Sequence, residues 1–405
     1  MSVATVMQER TGEWLERPGF GVYVHIPFCT TRCHYCDFNT YEGQDTLHAA
    51  YVDALVTDIE RFRLPSEREC PHSARFRSLD RGATSVFFGG GTPTLLDASA
   101  LARILGAVKA RFGLAPGAEI TVESNPESVD EIKLDGLLSA GFNRLSVGVQ
   151  SLAPHVLKGL GRTHSSQRAL GALAAARRVG FEDLNADLIY GSPWERPDDW
   201  AASLAGVLEA QPDHVSAYAL TVETGTPLHT LVATGRVPDV DPDVQAERHA
   251  LADEILATAG YARYEISNWA RPGCASRHNV LYWSAGDYAG FGAGAHGHVA
   301  GRRSWALRLP RDFVTAVDAG CSTEAGSEIL GPDARAGEAL MLGLRLASGI
   351  NTRAFALRFG DDALAGRSAT IDTLCSHGLL ERIGSRLRLA DGATLVANDV
   401  LCRLL

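Results

Sequence analysis

The chain has 405 residues, 45% hydrophobic and 21% charged, a balance that suits a globular protein of two or three domains with a sizeable core. A formal charge of −10 argues against a surface that coats nucleic acid, so no nucleic-acid partner is expected; a small anion in a locally basic pocket stays allowed. The opening MSVATVMQERTGEW lacks the basic segment and apolar run of a secretory signal. No run of about 18 apolar residues predicts a transmembrane helix.

Eight cysteines are few for this length, and Cys70, Cys274, Cys321, Cys375 and Cys402 show no pairing pattern. A reduced, cytoplasmic protein is the expectation, which makes the tight trio Cys29, Cys33 and Cys36 metal-binding rather than disulfide-forming.

After an N-terminal extension (1–20), the first predicted strand is GVYVHI (21–26), and the cysteine trio follows it directly. Further short, β-branched runs predict strands at 84–89, 119–124, 144–150, 184–190 and 214–220. Helical patterns fill the gaps at 46–63, 97–111, 129–140, 165–179 and 198–210. Strands alternating with helices read as a parallel α/β sheet, and both an open doubly wound sheet and a partial barrel satisfy the pattern. The first crossover carries an arginine-rich stretch, 61–81, that reads as a solvated surface insertion, with an anion-binding arm as the alternative.

The barrel-forming region is assigned to 21–225 and a connecting region that completes it to 226–324. The connecting region holds RHNVLYW (277–283) and the glycine-rich GFGAGAHGHV, in which His296 and His298 are either ligands or parts of a closing turn. Residues 325–335 read as a linker opening the C-terminal unit, 325–405. There a helix ending at HG, a small hairpin and a last helix predict a winged-helix-like arrangement. The absence of an arginine stripe favours structural or docking use over DNA binding.

Chemistry gathers where the predicted strands end, the face on which parallel βα folds assemble ligand sites. Cys29, Cys33 and Cys36 with His25 or His34 satisfy a Cys3His zinc site; a four-iron cluster with one iron left open is the other reading. Strand two ends in FFGGGTP, where Gly89, Gly90 and Gly91 permit close backbone approach and Thr92 adds a hydroxyl. Glu123, Gln150 and Asp187 end the next three strands and Arg162 follows in LGRTH; their convergence with the cysteines points to one site.

The ordered series YVHIPFCTTRCHYCDF, GGGTP, ESNP, GVQS, DLIYG and HNVLYW resembles the radical S-adenosylmethionine superfamily. It is most similar to the branch that holds oxygen-independent coproporphyrinogen III oxidases and haem chaperones. The resemblance implies a partial (β/α)6 TIM-like barrel and a [4Fe–4S] cluster on Cys29, Cys33 and Cys36. It also implies S-adenosylmethionine completing the open iron through its amino and carboxylate groups. By motif, Tyr23 and Tyr35 flank cluster and cofactor, and Gly90, Gly91 and Thr92 meet the methionine moiety. Glu123, Gln150, Arg162 and Asp187 contact S-adenosylmethionine or a second molecule of it.

Oxidases of the branch extend the motif to CxxxCxxCxC, whereas Phe38 stands at that position here, as in the chaperones. The expectation is therefore a chaperone that binds haem and passes it to an acceptor protein, with an electron donor for the cluster. Coproporphyrinogen oxidation is disfavoured, and a homodimer is left open. His278 in the HNxxYW motif is the expected axial haem ligand and Cys274 the second candidate.

Overall fold

The computed structural model describes residues 18–65 and 82–405; residues 1–17 and most of the arginine-rich insertion, with Cys70, lie outside the described residues. Six strands run parallel and in sequence order: β1 (Phe20–Ile26), β2 (Ala83–Gly90), β3 (Leu114–Ser124), β4 (Arg144–Gln150), β5 (Asp183–Tyr190) and β6 (His214–Ala219). Each step moves to the next neighbour in the same direction, so the crossover helices all fall on one face. This order makes the sheet a partial barrel and removes the doubly wound alternative.

The strand sequences alternate accordingly. Val22, Val24, Val86, Phe88, Val122, Leu145, Val147, Leu184 and Val215 point outward into one large core. They pack against Leu55 and Ile59 of α1 (His48–Arg61), Leu101 and Leu105 of α2 (Ala98–Phe112), Leu134 of α3 (Glu131–Ala140), Leu173 of α4 (Ser166–Val179) and Leu204 of α5 (Asp199–Glu209). Each such side chain contributes about 1.5–3 kcal/mol by leaving water. The opposite parity is polar: Ser85, Glu119, Thr121, Arg144, Ser146, Asn185, His214 and Ser216 are buried inside the barrel.

The barrel does not close. β6 pairs antiparallel with Asn268–Ala270, while β1 pairs parallel with β7 (Asp287–Phe291). Antiparallel strands β8 (His296–Val299), β9 (Arg302–Ala306) and β10 (Glu324–Ile329) extend that edge, giving a 12-stranded mixed sheet. The residues read as a linker, 325–335, are therefore mostly ordered sheet and helix: β10 pairs with β9, and helix α7 (Pro332–Gly343) starts just after it. An exposed edge strand with no apolar alternation leaves nothing for sequence periodicity to detect.

Helix α6 (Arg277–Trp283) carries the HNxxYW motif and seals the N-terminal end of the barrel. The Glu119 carboxylate on β3 accepts hydrogen bonds from the Arg277 and His278 amides, at 2.8 and 3.1 Å, and from Ser276 Oγ. This is an anion at a helix N-terminus, where the amides otherwise lack partners.

Beyond α7 come Ile350–Asn351, α8 (Thr352–Phe359), the helix Ser368–Ser376 and the hairpin Leu380–Ile383 with Arg386–Leu389. They enclose a second core around Leu340, Phe355, Leu374 and Leu387, in the element order of a winged helix. Its helix Ser368–Ser376 carries no Lys or Arg. Among the described residues no helix is long and apolar enough to cross a membrane.

Replacing Glu119 by Ala leaves these buried amides without their acceptor. A loss of about 2 kcal/mol of stability is expected, together with faster amide exchange across α6. Unchanged exchange in α6 would show that the helix is held by packing alone.

Candidate functional site

The cysteine loop starts where β1 ends and is tied down on both sides. Phe28–Cys29 pairs with Tyr41–Glu42, and the buried Phe28 ring packs on His48 and Tyr51 at centroid distances of 4.2 and 5.1 Å. His34 N–H donates to the Leu160 carbonyl and its Nδ1 sits 2.9 Å from the Gly159 carbonyl, so the loop's middle is docked on the helix Pro154–Leu160.

The glycine loop after β2 lies directly against it. Gly91 N–H donates to Ile26 O and Thr92 N–H to Phe28 O, both at 2.8 Å. A Cβ on Gly91 would stand 2.4 Å from Phe28 O and 3.0 Å from Cys29 Sγ, and Gly90 adopts φ +115° against the His25 ring. Glycine is required at 91 for the backbone to approach the thiol this closely, and at 90 by the positive φ and the His25 ring.

A hydrogen-bonded chain then joins the strand ends. Asn125 Nδ2 donates to Thr92 Oγ1 at 2.8 Å, Arg162 Nη2 donates to Asn125 Oδ1 at 2.5 Å and to Gly148 O, and Arg162 Nη1 reaches Cys33 Sγ at 3.4 Å. The buried Arg162 Nε has no partner among the described residues. Asn125 of the ESNP motif stands before Pro126 and caps the following turn with Ser128, the pattern that marks it.

These groups line one cavity of about 410 Å³. It brings together Cys29, Cys33, Cys36, Tyr35, Gly90, Gly91, Thr92, Glu123, Gln150, Arg162 and Asp187, and adds Thr40, Asn125 and Tyr218. Phe38 stands on its rim, 64% exposed. Gln150 holds φ +64° at an irregularity in the β4–β5 ladder, a left-handed conformation that costs a non-glycine residue about 1–3 kcal/mol and recurs at ligand sites.

The crowding of Glu123 and Asp187 favours a guest that brings positive charge. Glu123, which accepts a hydrogen bond from Gly90 N–H at 3.1 Å, is pushed up to about 8 by burial and then by Asp187. Asp187 is held in place by Ser146 Oγ at 2.6 Å and Asn185 Nδ2 at 2.8 Å. Burial and the neighbouring Cys36 raise the Cys29 thiol to about 11. Burial works against the Arg162 charge, yet Tyr35 and Cys33 hold its pKa above the ordinary value.

The three thiols suit a cluster better than one ion. His25, offered as a fourth zinc ligand, has its Nδ1 on Tyr23 OH at 2.9 Å and its Nε2 on the Asn39 carbonyl at 3.0 Å. Among the described residues no three His, Cys, Asp or Glu side chains surround a single-ion position. A multi-iron cluster spreads its thiolates over several metals, and the glycine cradle, the unpartnered Arg162 Nε and the paired carboxylates suit a polar cofactor beside it.

Tyr23 and His278 do not line this cavity. Tyr23 points into the barrel, its hydroxyl on His25 and its ring stacked on Phe87. His278 is buried at the barrel floor, with Nδ1 2.8 Å from Ser85 Oγ and Nε2 2.8 Å from Tyr282 OH. Burial and then Arg144 lower its pKa to about 3, so it stays neutral and both nitrogens are occupied. These partners, Ser85 and Tyr282, are what His278 meets in this structure, a packing that the motif alone does not reveal. Cys274 is half-buried on the loop before α6, its Sγ near the Pro272 carbonyl.

Comparisons with known proteins accord with this fold. Residues 23–205 match the radical SAM superfamily model and 330–396 match the HemN C-terminal domain. The solved coproporphyrinogen III oxidase (HemN) of Escherichia coli, a radical SAM enzyme, superposes with a TM-score of 0.79 over 100% of this chain and 93% of that one, at 22% identity. Fold and site thus define a radical SAM protein. The heme chaperone HemW of Mycobacterium tuberculosis is 41% identical over 95% of both chains, and HemW of Escherichia coli is 37% identical over 73% of this chain and 76% of that one. The mitochondrial radical S-adenosyl methionine domain-containing protein 1 of Bos taurus is 38% identical over 80% of this chain and 67% of that one. The chain belongs to the HemW family.

Glu123 gives a pH test. Its folded value of about 8 stands above the ordinary 4.5, so its contribution to stability is intact at low pH and is lost as pH rises toward 8. Glu123→Gln cannot ionise, so its Tm is expected to gain a few degrees on wild type between pH 5 and pH 9. A difference that stays constant across that range would refute the buried-carboxylate reading.

Proposed function

We propose that this protein is a haem chaperone that binds haem and transfers it to an acceptor protein. In this reading Cys29, Cys33 and Cys36 hold a [4Fe–4S] cluster with exchangeable S-adenosylmethionine, and an electron donor serves the cluster. The observation that carries the choice between chaperone and oxidase is Phe38. It places an exposed aromatic ring on the rim of the cysteine-lined cavity where the oxidases of the branch have a fourth cysteine. Support for the haem role comes from the relatives named haem chaperones, one of them similar along nearly the whole chain.

The chain's own groups divide the work. Gly90 and Gly91 would give the cofactor room beside Cys29, Asp187 would attract a cationic group, Glu123 would hydrogen-bond to it, and Arg162 would suit a carboxylate. The bound cluster supplies single electrons, and the enclosing barrel wall limits the access of water to the site.

The Cys29→Ala variant is expected to lose the brown cluster absorbance and most of its iron; wild-type iron content and spectrum in the variant would remove the cluster assignment. Anaerobically reconstituted wild type is expected to bind haem stoichiometrically and to form no protoporphyrinogen from coproporphyrinogen III. Turnover without haem binding would make the chain an oxidase despite Phe38.

A further inference from the structure

The loop that carries Arg162 holds a second side chain that the cofactor reading does not use. His164 ends the LGRTH stretch, directly before Ser165, the residue that caps α4. Its imidazole has no solvent exposure, so both ring nitrogens need partners inside the protein. Nε2 lies 3.1 Å from the Val149 carbonyl. Nδ1 lies at ion-pair distance, 3.4 Å, from Glu127 Oε2 and has no hydrogen bond to any other group among the described residues. A carbonyl can only accept, so Nε2 carries a hydrogen. Facing a carboxylate, Nδ1 is satisfied only by carrying another, which makes the ring a cation paired with Glu127.

Glu127 is held as the matching anion. Thr163 Oγ1 donates to its other oxygen at 2.9 Å. Burial works against the charge, yet the His164 ring, the main chain, Arg162 and Thr163 bring Glu127 down to about 2.

What this pair supports is the wall of the cysteine-lined cavity. Val149 O also accepts from Ser151 N–H at 2.8 Å, which closes a three-residue turn with Gln150 at its centre. The turn gives Gln150 its φ of +64°, the rare and strained hand of such turns. Arg162 Nη2 takes the preceding carbonyl, Gly148 O, at 3.0 Å. The two carbonyls before Gln150 are thus gripped from one loop, by Arg162 and His164. Glu127 stands two residues beyond Asn125, whose Oδ1 accepts from the same Arg162 nitrogen. The pair therefore ties together the loops after β3, after β4 and before α4, and each supplies a cavity residue: Asn125, Gln150 and Arg162.

We propose that His164 and Glu127 are positioning residues of the cofactor site, a charged clamp that presents Gln150, in its left-handed turn, and Arg162 to S-adenosylmethionine. His164 does not line the cavity, so it acts through those two side chains. The assignment rests on the proposed cofactor reading and adds the residues that hold its contacts in place. At metal sites, outer partners of this kind are worth about ten- to a hundredfold in affinity.

The test is S-adenosylmethionine binding to the full, reconstituted chain by equilibrium dialysis, with the EPR spectrum of the reduced cluster recorded with and without the cofactor. His164→Ala and Glu127→Ala are each expected to raise the Kd about tenfold and to blunt the cofactor-induced EPR change, at wild-type iron content. His164→Gln keeps a donor toward Val149 and Glu127→Gln an acceptor for Thr163, and each is expected to recover part of the lost affinity. The double Ala variant is expected to bind no more weakly than either single one, because the two side chains act as a pair. Variants that lose Tm but keep wild-type affinity and EPR response would make the pair purely structural and overturn the proposal, as would additive losses in the double variant. Wild type that binds no S-adenosylmethionine would overturn the cofactor reading itself, and the proposal with it. Should His164→Ala fail to fold, Glu127→Ala and Glu127→Gln, which alter a side chain 38% exposed, decide the question alone.

Discussion

The Asn185 amide is the fastening on which the barrel's interior depends. Its two donors go to Ser146 Oγ on β4 and Asp187 Oδ1 on β5, and its oxygen accepts from His214 Nδ1 and Ser216 Oγ on β6. Four hydrogen bonds exhaust the amide's capacity. His214, kept neutral by burial, accepts from Tyr264 OH with its other nitrogen. A parallel sheet that turns polar side chains inward has to satisfy nearly all of them, since each unpaired group costs more than a pair returns, and Thr121 Oγ1 is an inward atom left without a partner among the described residues. Meeting that demand inside the barrel also fixes Asp187 at the mouth, where it raises Glu123, and the site's electrostatics is thus a consequence of how the interior is bonded.

That interior explains what could be read from the chain and what could not. The six strands are legible because their outward residues, such as Val22, Val86, Leu145 and Leu184, alternate with turn-rich ends. The mouth residues are legible because glycines and short polar motifs mark the strand ends. The inward set is not: Ser85, Arg144, Asn185 and His214 look like ordinary polar residues until curvature brings them face to face. The edge strand β10 escaped for the opposite reason, being exposed and without an apolar stripe to announce it.

His278 shows how a motif can be placed on a helix from sequence while its surroundings cannot. Its spacing puts it and Tyr282 on one face of α6, four residues apart, which any helix would do. Which side of the helix meets solvent depends on Glu119 and Ser85, which arrive from distant strands and turn the imidazole inward. The neighbouring GAGAHGHV stretch is a turn at 292–294 followed by β8, which brings His298 to the wall of a cavity between the barrel floor and the C-terminal unit.

Strand β2 connects the two ends of the molecule. Ser85 near its start holds His278, and through it Tyr282 at the lower cavity, while Gly90 and Gly91 at its end cradle Cys29 at the upper one. Its residues between are buried and hydrogen-bonded to β1 on one side and β3 on the other, so the strand offers little freedom to slide. The floor and the mouth are therefore set in fixed register by a single rigid element. Adjustment between the cavities has to come from the parts that rest on the barrel from outside, the cysteine loop above and the docked C-terminal helices below. Arg358 is the most exacting of those lower contacts, because its bonds to Ser284 and Ala285 reach across from α8 to the turn that follows α6. Moving α8 away from that turn has to break both hydrogen bonds at once.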